Sequence, residues 1–436
     1  MVTDTRGLHR LLGAGFGVAV TIGGTIGVGI LRTPGLVAGQ LASVSAILSV
    51  WIVGGLYTLL GAVCLAELGT MVPEAGGYYV YARRAFGTTV GFAVGWTDWL
   101  TYCAVLAYVS IGFAEFAGML VPALAPAVTL VAIATLAGFV ALQWRGVRIS
   151  SRFQELSTAI KFVAFLALVF ACLAFSGAGS RREALSEPFV PIPAVAGLII
   201  ALQSVVITFG GWQSALYFTE EDRDPARNLP RGMIGGVAAV IAVYLLVNVA
   251  LLKVLPVAVL ARSTLPAADA AQVIVGRQGA QIITVLSLIS LPPLLNPLLM
   301  IGTRILFALG RDGLLPAPVA NVNAGGTPTI ATLVTTAAAI ALIVTGTFQK
   351  LVAVVSFFLA GNYLICCLAL IVLRRREPNT VRPFRAWGYP WSAAIVLIGA
   401  AAFLAGALAA DTRNATAALV LLGLGGIGHV LFARAK

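Results

Sequence analysis

The sequence predicts an all-α membrane protein of twelve transmembrane helices. Two five-helix halves form a 5+5 inverted repeat whose first and sixth helices are broken, and two further helices follow. Three observations carry this. Of 436 residues, 60% are hydrophobic and only 10% charged, with a mean hydropathy of +0.99, more apolar surface than a chain folded in water can hide. About twelve apolar stretches reach the roughly 20 residues needed to cross a bilayer. Two of them are interrupted by glycine, the poorest helix former after proline.

In chain order the apolar stretches are 11–38, 41–69, 89–121, 127–144, 153–176, 193–218, 232–254, 279–309, 329–346, 350–373, 389–409 and 415–433. Segments this long satisfy their backbone groups in lipid as helices. Arg6 and Arg10 ahead of the first stretch imitate a signal peptide. Such apolar regions are shorter, so an uncleaved first helix is expected. The interruptions are Gly23-Gly-Thr-Ile-Gly-Val-Gly29 in the first stretch and Thr208-Phe-Gly-Gly-Trp212 in the sixth, roughly 185 residues apart. Five crossings invert the second copy relative to the first, and paired interruptions of this kind point to the binding site of a secondary transporter. The expected units are residues 1–187, residues 188–376, and a C-terminal pair of helices with a tail over 377–436. No letter-by-letter repeat accompanies them.

The net charge of +12 is distributed by membrane side rather than over one face. With the N-terminus in the cytoplasm and alternating segments, Arg32, Arg181, Arg182, Lys253, Arg262, Arg277, Lys350 and Arg413 lie outside. Except for Lys161 and Arg304, the other lysines and arginines lie inside, 18 against 8, as the positive-inside rule expects. Both termini are therefore expected in the cytoplasm, in a bacterial inner membrane, and no nucleic-acid partner is expected. The loop from Arg374 to Arg385 is strongly basic and suits anionic lipid. The longest outer connection runs over 255–278.

Cys64, Cys103, Cys172, Cys366 and Cys367 all fall in apolar segments, an odd count that reads as small buried hydrophobes. His9 and His429 lie near the chain ends and suggest neither metal nor catalysis. No Gly-Lys-Ser phosphate loop, nucleophile–base pair or metal cluster is visible, so no enzyme, no ATP drive and no cofactor are expected.

A helix broken at mid-membrane leaves N–H groups unpaired on one half and C=O groups on the other. The N–H end carries about half a positive charge and attracts a carboxylate, and the C=O end attracts an ammonium. One break thus offers both poles an α-amino acid needs. The carboxylate is expected at the N–H groups near Gly27, Val28 and Gly29, and the amino group at carbonyls near Thr25, Ile207 and Gly210. Ile26 lies within the same run, and Phe209 sits at the second break. Close helix packing through small residues is the competing reading, and Gly13 and Gly17 fit it.

Several motifs together resemble the amino acid–polyamine–organocation superfamily, within it the L-type amino-acid transporter branch. Thr25-Ile-Gly-Val-Gly-Ile-Leu-Arg-Thr-Pro34 is similar to that branch's first-helix pattern. The run from Ala66 to Gly87 resembles its inner-loop signature. Phe209-Gly-Gly-Trp212, Glu220-Glu221 and Pro225 to Arg231 resemble its sixth helix and following loop, and Arg304 to Pro316 the end of its eighth helix. The resemblance implies a LeuT-type fold, alternating access and amino-acid transport. It departs at Val28, where the branch has a small polar residue, and at Ile207, where it has the aromatic that caps the substrate. Animal relatives join a glycoprotein through a cysteine between helices three and four. The turn from Val121 to Pro126 has none, so no disulfide-linked accessory chain is expected.

Ionisable residues at membrane depth are costly, about 2.5–3.5 kcal/mol on insertion scales, and are functional candidates. Lys161 lies in the fifth segment. The resemblance implies that such a lysine takes the volume of a sodium ion beside the broken first helix, giving sodium-independent transport. Snorkelling to the inner interface is the alternative, and proton coupling stays open. Asp98, between Trp96 and Trp99, is read either as a coupling or cation-binding group or as a satisfied structural carboxylate. Glu115 is read as an outer charge or an interface residue. Glu67 and Glu74 suit inner-gate or capping roles. Glu220, Glu221 and Asp222 suit a latch with inner arginines, in which several weak pairs must act together. The leading expectation is a permease for neutral or broadly chosen amino acids, by exchange or proton symport. An amine or polyamine carrier using Asp98, and a channel or sensor, are the alternatives.

Overall fold

The structure is a computed structural model that describes residues 7–41, 43–175, 194–346 and 348–410, with 416, 418, 420, 422, 423, 425 and 426 beyond them. Every regular element among the described residues is a helix. Gly13 opens α1, Ala14–Thr25, and after Ile26, Gly27 and Val28 the chain resumes as α2, Gly29–Gln40. The two are bent 47° at this break. Ser43, whose side chain accepts from Ala46 N–H at 3.2 Å, caps α3, Val44–Met71. A cap of this kind satisfies one of the N–H groups that every helix start leaves unpaired.

The inner-loop motif forms α4, Tyr78–Phe86, followed by α5, Thr88–Leu120. A 3₁₀ turn at Pro122–Ala127 leads into α6, Val128–Trp144, then α7, Val147–Ala174. α8, Ala194–Thr208, ends at the second glycine run, and the chain continues as a 3₁₀ segment, Trp212–Glu221. α9 spans Pro225–Val254. The outer connection over 255–278 is helical, with α10 at Val257–Arg262 and α11 at Pro266–Val275. α12, Gly279–Ser290, and α13, Pro292–Arg311, meet at a proline-marked break. α14, Thr329–Thr345, α15, Phe348–Arg376, and α16, Trp391–Ala410, complete the order.

Eight of these stretches are long and apolar enough to cross a membrane, nine with the bent α1–α2 pair, and Thr329–Thr345 and Trp391–Gly406 are shorter apolar helices. The chain is therefore an integral, multi-pass membrane protein. The twelfth expected segment, 415–433, lies largely outside the described residues. Apolar side chains such as Leu156, Val163 and Phe170 along α7 point outward, as lipid-facing residues do, while Phe165, Val169 and Cys172 on the same helix are buried.

The α1–α2 pair lies inside the bundle. α1 packs on α9, α7, α13 and the 3₁₀ segment, and α2 on α8 and α10. Small residues make the approach close. A side chain on Gly232 of α9 would meet Gly17 backbone at 2.9 Å, and one on Gly35 of α2 would meet the Ser263 carbonyl after α10 at 2.5 Å. Thr33 and Thr208 share a 2.7 Å hydroxyl contact that ties α2 to α8. The free cysteines are all buried.

Candidate functional site at the two helix breaks

The two breaks face one another. Gly211 has φ +107°, a left-handed conformation that L side chains rarely adopt. A Cβ there would lie 2.1 Å from the Gly24 carbonyl oxygen, and one on Gly24 would lie 2.8 Å from Ser214 Oγ. Backbone therefore touches backbone where α1 meets the turn after α8. Gly210 N–H closes that turn on the Ile207 carbonyl at 2.9 Å, and Gly211 N–H donates to Gln213 Oε1 at 3.1 Å.

At the first break the peptide groups divide as a broken helix demands. The N–H groups of Gly27, Val28, Gly29 and Ile30 donate to no described residue. Gly27 and Val28 are partly accessible, Gly29 is exposed and Ile30 is buried. The carbonyls at the end of α1 are largely claimed. Lys161 Nζ donates to Gly23 O at 2.8 Å and also to Ile26 O. Tyr244, on α9, reaches Thr25 O at 2.9 Å and Thr208 O at 3.1 Å. A phenol carries one proton, so it serves one of these two carbonyls at a time.

Lys161 is fully buried, with its ammonium on α1 carbonyls, so it does not snorkel. Just below it, Thr158 Oγ1 donates to Ala19 O at 3.1 Å and Gln154 Nε2 to Pro293 O at 2.8 Å. Gln154 Oε1 accepts from Asn296 Nδ2 at 3.0 Å. These polar groups join α7, α1 and α13 along one seam. Gly23 leaves room for it, since a Cβ there would lie 2.4 Å from Gln154 Nε2.

The structure brings Thr25, Ile26, Gly27, Val28, Gly29, Phe209, Gly210 and Lys161 to one locality. Ile207 is 60% exposed, and its carbonyl already accepts from Gly210. At the second break the carbonyls of Phe209 and Gly210 accept no bond from a described residue. Phe209 is buried, 4.9 Å from the Tyr244 ring and 6.0 Å from Trp51. Asp98 is fully buried, accepting from Tyr217 Oη at 2.7 Å on the 3₁₀ segment that follows the second break. Glu115 is exposed.

Ion pairs close the face on which residues 7–12 lie, called inner below. Glu221 and Arg304 form a fully buried bidentate pair, Nε–Oε1 2.8 Å and Nη2–Oε2 3.0 Å. Glu220 takes Arg311 at 2.6 Å and Ala75 N–H at 2.8 Å. Arg83 links Glu74, at 3.0 Å, to Asp312. Leu12 bonds Glu221 and Arg223 through its backbone at 2.9 and 3.0 Å. Asp222 instead accepts from Asn228 at 2.7 Å. Glu67 is buried on Arg374 at 2.5 Å and Ala386 N–H at 2.7 Å.

Tyr244, Gln154 and Gln213 were not anticipated from the sequence. A tyrosine inside the apolar run of α9 carries a signal, because a buried hydroxyl needs a partner. Which carbonyl it finds depends on how α9 crosses the breaks.

Comparison with known proteins identifies the family. The chain is 30% identical over 387 residues to the Asc-type amino acid transporter 1 of Mus musculus, covering 87% of this chain and 73% of that one. It is 26% identical over 435 residues to the serine/threonine exchanger SteT of Bacillus subtilis, covering 98% and 97%. It is 29% identical over 392 residues to the human large neutral amino acids transporter small subunit 2, covering 87% and 72%. These relatives are transporters, not enzymes. The family model described as amino acid permease matches residues 18–427, and the chain, an amino-acid permease, belongs to that family.

Proposed function

We propose that this permease carries neutral amino acids by alternating access, without sodium, trading one substrate molecule for another. One observation carries the reading. Four consecutive N–H groups, from Gly27 to Ile30, have no partner among the described residues, and the first three belong to accessible residues. Such donors fit a carboxylate. The amino group then falls to the unclaimed carbonyls of Phe209 and Gly210 and to the one that Tyr244 leaves free. Among the described residues, Lys161 is the charged side chain bonded to the breaks, and it is engaged with the Gly23 and Ile26 carbonyls. That favours a neutral substrate side chain.

Lys161 supports sodium independence, because its ammonium supplies the positive charge that the carbonyls at the end of α1 attract. Exchange is supported by the name of the serine/threonine exchanger it resembles. The paired breaks support two five-helix halves, 1–187 and 188–376, with 377–436 as an appendage. The ion pairs of the inner face support a conformation closed on that side. Positive-inside counting supports cytoplasmic termini. No disulfide-linked partner is part of this reading, since the turn after α5 has no cysteine.

The test is uptake and counterflow in proteoliposomes. Labelled neutral amino acid should be taken up equally in sodium and choline buffers and accelerated by unlabelled substrate inside. Strict sodium dependence would overturn the role of Lys161. A flux that trans substrate does not accelerate would overturn exchange.

A further inference from the structure

Among the described residues, three carboxylates are wholly without exposed surface: Glu67, Asp98 and Glu221. Two of them have cationic partners. Glu67 is held by Arg374 and lies 3.2 Å from Arg382, and Glu221 is held by Arg304. Asp98 has none. Its Oδ2 accepts from Tyr217 at 2.7 Å, and its Oδ1 is buried with no partner at all.

Neutral hydroxyls and a thiol face Asp98 from three neighbouring elements. The 3₁₀ segment presents Tyr217, α4 presents Tyr78, and α15 presents Cys366. On α5 itself, Tyr102 lies four residues on, along the same helix face, with its ring against Tyr217. Both cations of neighbouring α13 are engaged: Arg304 gives its donors to Glu221, Thr303 and Met300, and Arg311 pairs with Glu220. An ionised carboxylate held this way, with no cation and one bare oxygen, is expensive. A neutral carboxyl is far less so.

We propose that Asp98 is a proton-binding site that locks the inner face shut. In the closed state it is held as the neutral acid beneath Tyr217. Tyr217 belongs to the same 3₁₀ segment as Glu220 and Glu221, whose pairs with Arg311 and Arg304 close that face. Opening the inner face breaks those pairs, moves this segment and carries Tyr217 away. Water then reaches Asp98, and the O–H bond ionises to carboxylate and hydronium. Closing again takes one proton back from the inner solution. Nothing is oxidised or reduced. A more acidic inner solution therefore favours the closed state.

The consequence for transport rests on the exchanger reading, whereas the protonation itself does not. Infrared difference spectra tests the second directly. At neutral pH the wild type should show a protonated-carboxyl C=O band that is absent from Asp98→Asn. A wild type without that band overturns the proposal, whatever the protein transports. Should Asp98→Asn fail to fold, Tyr217→Phe decides, because it removes the hydrogen bond and keeps the acid. The band should persist and shift. No shift, or no band, overturns the assignment. In counterflow with the pH changed equally on both sides, wild-type exchange should speed up as the solution becomes more basic, and Asp98→Asn should be slow and insensitive. A variant that keeps the wild-type pH dependence overturns the lock.

Discussion

Gly24 and Gly211 approach so closely that neither has room for a side chain, which makes the two helix breaks one structural unit. A Cβ on Gly211 would sit 2.1 Å from the Gly24 oxygen, at a backbone φ of +107°. Two separate penalties then fall on Gly211→Ala, a clash with backbone that cannot swing aside and a left-handed conformation costing roughly 1–2 kcal/mol. The variant should insert and elute as a monodisperse species in detergent, yet lose the rise in melting temperature that substrate gives the wild type. Wild-type ligand stabilisation in Gly211→Ala would show that the breaks bind independently.

Lys161 should be irreplaceable by an apolar residue of similar length. In Lys161→Met the Gly23 and Ile26 carbonyls lose the ammonium that they share. Hydrogen bonds to charged groups contribute about 1.5–3 kcal/mol each. The expected result is an apparent melting temperature lower by several degrees and counterflow reduced at least about tenfold, the latter following from a loss of some 1.4 kcal/mol.

Tyr244→Phe isolates one hydroxyl. The ring keeps its contacts with Phe209, 4.9 Å away, and Trp51, 5.6 Å away, while Thr25 O and Thr208 O lose their shared donor. Stability should fall by only about 1 kcal/mol, the typical net worth of a neutral hydrogen bond. Counterflow should change more than stability does, because both carbonyls belong to the breaks. Titration of the melting shift with substrate reads the affinity separately.

The Glu221–Arg304 pair is fully buried, so removing one partner leaves an isolated charge, at a cost of about 3–5 kcal/mol. Glu221→Gln should therefore destabilise strongly. The double change Glu221→Leu with Arg304→Met should recover most of the melting temperature and still fail to restore transport, because the latch is gone. A double-variant loss equal to the sum of the two single losses would mean that the pair is not coupled.

Glu377 provides a pH test outside the membrane-spanning helices. Its hydrogen bond to the Arg84 guanidinium, 2.7 Å, holds the carboxyl below its ordinary value of 4.5. A lowered value in the folded state stabilises above the ordinary glutamate range, and the contribution disappears as pH falls through the folded value. Wild type should melt slightly higher than Glu377→Gln at neutral pH, and the two curves should converge as pH falls below the ordinary glutamate range. The pair is partly exposed, so the gap is small and shrinks with salt.

Local chemistry was legible in the sequence where a residue has only one physical use. Four glycines within seven apolar positions mean a broken helix whatever the packing, and the structure breaks there. A lysine in an apolar segment must find carbonyls or water. Lys161 finds carbonyls of α1. Long-range partners were not legible in the same way. Tyr244 meets Thr25 and Thr208 across 219 and 36 residues of chain, and nothing local specifies that meeting. Ile207 was assigned by motif position, and its 60% exposure depends on how α8 sits against α2 and α3, which no local signal specifies. The 255–278 connection reads as a loop because α10 and α11 are short and proline-bounded. Their helical form comes from packing on α2 and on neighbouring helices, and short helices rarely hold without such contacts.

The central claim is that bare peptide groups at the α1–α2 break bind the two charged ends of an amino acid. Calorimetric titration with a neutral amino acid, its amide and the matching amine tests this most directly. The account predicts that the amino acid binds and that both analogues lacking the carboxylate lose at least about 1.4 kcal/mol, a tenfold weakening. An amine that binds as tightly as the amino acid would contradict it.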